Sequence, residues 1–130
     1  MRTFLRALLR AVVIGLLPLL LFVVLYARVY EENGANIGGG MLVLAIALVG
    51  SFVWARRDGR VGADRSPLAL WALVAALTFV LQAVTTIADS GVPTDPDNWS
   101  VITADAAFLA TLVLVGGGAG ALIGARQHRP

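Results

Sequence analysis

Four long apolar runs, separated by short polar and charged stretches, account for most of the chain. Between Arg10 and Arg28 lie 17 uncharged residues, between Glu32 and Arg56 23, between Arg65 and Asp89 23, and between Asp105 and Arg126 20. A helix rises ~1.5 Å per residue, so about 17–25 such residues cross the ~30 Å hydrocarbon layer of a bilayer. The pattern predicts an all-α fold, a bundle of four transmembrane helices over about 8–30, 36–56, 67–88 and 99–125. Pro67 suits the first turn of the third helix, whereas Pro18, inside the first run, predicts a bend there. The sequon-like Asn98-Trp99-Ser100 reads as a helix start, with Asn98 or Ser100 as cap.

Composition strengthens this reading. The 130 residues are 58% hydrophobic and 14% charged, with a mean hydropathy of +0.84; soluble domains carry about 25% charge. The expectation is one transmembrane domain over residues 1–130 with no soluble domain. MRTFLRALLR followed by an apolar run resembles a signal peptide, but the exit YARVYEE has no small-x-small cleavage site. We expect a retained first helix. Without cysteine, disulfides and thiolate metal sites are excluded. All ten basic residues are arginine, which together with abundant Ala and Gly suggests a bacterial source. The pI of 9.9 accompanies a net charge of only +2, and the arginines flank apolar spans, so they report membrane topology and not a nucleic-acid partner.

The charges sort by side. Arg2, Arg6, Arg10, Arg56, Arg57, Arg60, Arg65, Arg126 and Arg129 fall on one side with Asp58 and Asp64; the other side has Arg28 against Glu31, Glu32, Asp89, Asp95, Asp97 and Asp105. Positively charged short loops stay in the cytoplasm, so both termini are expected inside a bacterial cell membrane crossed several times. Tyr26, Tyr30 and Trp99 mark the outer border, and Trp54 and Trp71 the inner one, where amphipathic rings favour headgroup level. The arginines at 2, 6 and 10 beside Phe4, Leu5, Leu8 and Leu9 would extend the first span or lie on anionic lipid.

The segment VLVGGGAGALIGARQ is the sharpest motif. Gly116, Gly120 and Gly124 recur every fourth residue, with Gly117, Ala121 and Ala125 one step round. In lipid, helices associate by close van der Waals contact, which small residues at this spacing permit. Gly116, Gly117, Gly120, Ala121 and Gly124 therefore form a helix-packing face, either against another helix of the chain or as a seam with a second copy or a larger membrane complex. Its end, GGGAGALIGAR, is similar to a glycine-rich segment of small four-helix fluoride channels. There the segment lies in the first helix and here in the last, so membership does not follow. Small multidrug exporters share the size and helix number but need a first-helix glutamate, which this chain lacks.

Intramembrane polar groups are the other candidates. Thr78, Gln82, Thr85, Thr86 and Asp89 share one stripe of the third helix at about 100° per residue. Asp105 lies about three turns above Gly116, and Arg28 stands at matching depth as a candidate partner for Asp105 or Asp89. These seven residues either bond the helices together or line an outward-facing polar vestibule. The sole histidine, His128, sits beside Arg129 with no cysteine or Ser/His/Asp set to join it. We therefore expect no catalysis, metal or cofactor. Two functions follow: a structural or accessory subunit working through the fourth-helix glycine face, as a homo-oligomer or in a larger complex, or a small channel or transporter using the vestibule.

Overall fold

The computed structural model describes residues 2–29, 41, 43–61 and 66–127, except for the side chains of 2, 18–29, 61, 89 and 90. Apart from Ser66 and residues 91–95, those described are helical, with no strand. Helix α1 runs Arg2–Val29. A five-residue π-helical turn, Ile46–Gly50, leads into α2, Ser51–Val61. Helices α3, Pro67–Ser90, and α4, Pro96–Gln127, follow.

Local chemistry explains the ends. The Ser66 hydroxyl accepts the Ala69 N–H at 3.3 Å, and Pro67 supplies a first-turn residue whose missing N–H costs nothing there. Gly91 closes α3 with φ +83°, a left-handed conformation that glycine adopts without strain, and its N–H donates to the Ile87 carbonyl. At α4 the cap is neither Asn98 nor Ser100. The helix starts earlier, at Pro96, and the Asp95 carboxylate accepts the Asp97 N–H at 3.3 Å. At its other end α2 passes through the arginines to Val61; arginine is a good helix former, so the helix outlasts the apolar run. Helix α1 starts at Arg2, so the N-terminal arginines continue the first helix.

Helices successive in the chain alternate in direction. Gly116, Gly120 and Gly124 of α4 meet Leu48, Phe52 and Arg56 in step, so α2 and α4 run parallel. Gly117 meets Trp71, and Leu109 shares a small cavity with Thr78 and Gln82, so α3 runs antiparallel to α4. Arg10 reaches Asp58, while Gly15 shares a cleft with Val43 and Leu44, making α1 antiparallel to α2. The buried face of α4 reads Ile102, Ala106, Leu109, Val113, Gly116, Gly117, Gly120, Ala121, Gly124. Steps of three and four keep this seam on one side of a 3.6-residue helix. It joins Ala47, Ala55, Leu70, Trp71 and Val74 in one core cluster, to which α1 adds Ala7, Ala11 and Ile14.

Two described helices are long and apolar enough to cross a membrane: Pro67–Ala88, 22 residues, and Pro96–Gln127, 32 residues.

Candidate functional site

The glycine stripe is filled by the chain itself. A Cβ added at Gly116 would collide with the Leu48 carbonyl and the Ser51 hydroxyl, one at Gly120 with the Phe52 carbonyl, and one at Gly124 with the Arg56 carbonyl. The approach is reciprocal: a Cβ at Gly59 would lie 2.6 Å from the Ala121 carbonyl oxygen and 2.8 Å from the Ala125 nitrogen. Two backbones thus touch along about three turns. The π turn shapes the upper end of this contact. Such a turn loosens the regular carbonyl ladder, and the buried Ser51 hydroxyl donates back to the carbonyls of Ala47 and Leu48. Ala121 is fully buried on the same face.

Gly117 does a different job. Its missing side chain makes room for the Trp71 indole, which is 0% exposed. Trp71 is therefore a core residue and not a member of the inner aromatic border. Its Nε1–H is buried without a partner. Trp54 is half-buried, and the Arg10 guanidinium lies 5.5 Å from its ring centroid, within cation–π range.

At the same end is a contact the sequence pattern did not reveal. Arg10 Nη2 donates to Asp58 Oδ1 at 2.8 Å, with the two side chains only 10% and 12% exposed. The pair ties α1 to α2. Beside it, Arg60 Nε and Arg56 Nε donate to Gln127 Oε1 at 2.6 and 3.3 Å, joining α2 to the end of α4. Asp58, Arg56 and Arg60 read in the sequence only as topology charges, Arg10 also as part of a helix extension or lipid contact, and Gln127 gave no signal.

The other end holds a cleft of ≈330 Å³ lined by Gly15 of α1, Val43 and Leu44 ahead of the π turn, Gln82 of α3, and Asp105, Phe108 and Leu109 of α4. A much smaller cavity, ≈10 Å³, continues from it past Thr78 and Thr85, sharing Gly15, Gln82 and Leu109.

No protein-family model, curated protein or solved structure matches this chain significantly.

Of the polar stripe, Gln82 and Asp105 share the larger cleft, and Thr78 and Thr85 line its narrow extension. Thr86 faces elsewhere, into a pocket with Gly91, Pro93, Asn98, Val101 and Ile102. The Thr78 hydroxyl donates to the Val74 carbonyl at 2.9 Å, and those of Thr85 and Thr86 donate to the Gln82 carbonyl at 3.0 and 2.9 Å. Their protons are thus committed to the helix itself. Neither the Gln82 amide nor the Asp105 carboxylate bonds to a described residue, so both are free to meet a solute. The side chains of Arg28 and Asp89 lie outside the described residues, as does His128. Among the described residues no cluster of three or more His, Cys, Asp or Glu could hold a metal.

Proposed function

We propose that the chain is a multi-pass protein of the bacterial inner membrane, four spans with both termini cytoplasmic, acting as a small channel or transporter through its outer polar cleft. The observation that carries this reading is the convergence of all four helical segments on one ≈330 Å³ cleft whose amide and carboxylate have no partner among the described residues. At ~1.5 Å per residue Gln82 stands about 24 Å along α3 from Ser66, which puts the cleft in the outer half of a bilayer.

The surface supports a lipid environment. In their most apolar stretches α3 and α4 are only 28% and 39% buried, whereas the core helix of a soluble protein would be mostly buried. Val80, Val84, Phe108, Val115 and Leu122 are exposed apolar side chains along them. The Thr111 hydroxyl on that surface donates to its own Ala107 carbonyl, which hides its polarity from lipid. The first two apolar runs have the length for the remaining two spans.

Orientation is tested by single cysteines in an otherwise cysteine-free chain. Replacements at Glu32 and Asp95 should react with an impermeant thiol reagent added to intact cells, and one at Arg60 should stay unlabelled until the cells are lysed. Labelling at Arg60 in intact cells would reverse the topology and move the cleft to the cytoplasmic side.

A second reading, a structural or accessory subunit of a homo-oligomer or larger complex, is favoured by the packing below the cleft. There Trp71, Val74 and Val113 are fully buried and the Arg10–Asp58 pair lies beyond them. A transporter must open this half; a structural subunit need not. Its seam would use outward faces, since α2 fills the glycine stripe. Ion and proton flux in reconstituted vesicles separates the two. Transport predicts a wild-type flux that Asp105→Asn abolishes without lowering the melting temperature. Wild-type vesicles no leakier than empty ones would favour the subunit.

A further inference from the structure

Building on the transport reading, we infer that the cleft takes a monovalent organic ammonium ion with a compact apolar body. The polar groups select the charge. Asp105 is the single ionisable residue among the described residues of the lining. An unpaired carboxylate at the margin of the hydrocarbon layer is costly until a cation neutralises it. The Gln82 side-chain carbonyl adds a second acceptor for an ammonium N–H. An anion would meet Asp105 with only the Gln82 amide donors to offset the repulsion, because the hydroxyl protons of Thr78 and Thr85 are held by backbone carbonyls.

The rest of the lining selects the body. Val43, Leu44, Phe108 and Leu109 offer no hydrogen bonds, so a sugar or other polyol would leave most of its hydroxyls unsatisfied. A Ca²⁺ ion stripped of water would need about six to eight oxygen ligands, far more than one carboxylate and one amide provide. An alkyl or aryl group, by contrast, gains from leaving water against these walls. Phe108 can also present its ring face to the positive charge. The cleft is at the small end of the range for ligand pockets, about 300–1,000 Å³, which suits a body near the size of a phenethyl group.

The test is equilibrium binding of radiolabelled phenethylammonium to the full-length protein in nanodiscs, with phenylacetate as an anion of similar size. The expected result is saturable binding of the ammonium and none of phenylacetate. Asp105→Asn should weaken binding by about tenfold with an unchanged melting temperature, since Asp105 has no structural partner to lose among the described residues. Gln82→Met provides an independent arm. It should weaken phenethylammonium but spare benzyltrimethylammonium, which has no N–H to donate. Equal binding by wild type and Asp105→Asn, saturable phenylacetate binding, or no ammonium binding at all would overturn the assignment. Transport is scored separately, by uptake into vesicles. Ammonium binding without uptake leaves the ligand class standing and removes the transport reading. Uptake of another solute that depends on Asp105, without ammonium binding, does the reverse.

Discussion

A Gly120→Leu protein is expected to lose the folded bundle: a broadened, strongly lowered thermal transition in detergent, and little monodisperse material. The Phe52 carbonyl occupies the space any side chain at 120 would need, and the Arg56 nitrogen is 3.0 Å from the same point. Both are backbone atoms of a helix, so neither can swing aside as a side-chain tip would. The helices must separate, and a gap of roughly 1 Å forfeits up to about half of the dispersion energy of each contact along the seam. Overpacking a well-packed core costs about 1–3 kcal/mol; here a whole helix pair moves, so even Gly120→Ala should reach about 3 kcal/mol. The control is two residues away. A Cβ at Gly118 would find only the Leu68 side chain, at 3.9 Å. Gly118→Ala should therefore be neutral, or stabilising by up to ~1 kcal/mol through helix propensity. Thermal melts of the three variants decide the matter. If Gly120→Leu and wild type melt together, helices α2 and α4 are not in backbone contact. If Gly120→Leu folds normally but loses a co-purifying partner, the stripe is a seam between chains.

The second large effect is expected at Arg10 and Asp58. Their one ion-pair contact leaves Arg10 Nε and Asp58 Oδ2 buried without hydrogen bonds, so the pair only partly offsets the desolvation of two charges. Removing one partner is worse, because the other charge stays buried alone. Asp58→Ala should cost about 3–5 kcal/mol, with the cation–π contact to Trp54 retaining only part of the Arg10 stabilisation. Replacing both by apolar residues of similar volume, Arg10→Met with Asp58→Leu, should recover most of that loss. A double-mutant cycle read by thermal unfolding gives the coupling directly. Additive losses would mean that the two charges do not interact in the folded protein. This pair locks the Arg10 end of α1 onto α2, at the other end of the bundle from the cleft. A transport cycle that opens that end would have to break it.

Much of the helical architecture was legible along the chain because its causes are local. Run length, arginines at the run ends, Ser66-Pro67 and Gly91 each act within a turn or two of backbone. The recurrence of Gly116, Gly120 and Gly124 likewise announced a close approach, since spacing by four puts three bare backbone patches on one face whatever the partner. Other features lay beyond any local period. Arg10 and Asp58 are 48 residues apart. Gly59, set among charges in ARRDGR, gave no sign of being the counterpart of Ala121 and Ala125. Trp71 had the residue type and position of a border aromatic, and only the hole left by Gly117 turns it inward. Within the polar stripe, neighbours Thr85 and Thr86 diverge because successive residues are rotated by about 100°, enough to send one toward the cleft extension and the other toward the outer loop.

The sequence by itself therefore determined that the chain forms long apolar helices, with the arginines at one set of ends and a helix face bare enough for contact. These depend on the chemistry of consecutive residues. Only the tertiary structure decided which backbone fills that bare face, which charges pair, and which polar groups are left free. Each of those outcomes depends on how helices distant in sequence are brought together. Gln82 and Asp105 have no partner among the described residues because α1, the segment ahead of α2, α3 and α4 together leave an opening around them.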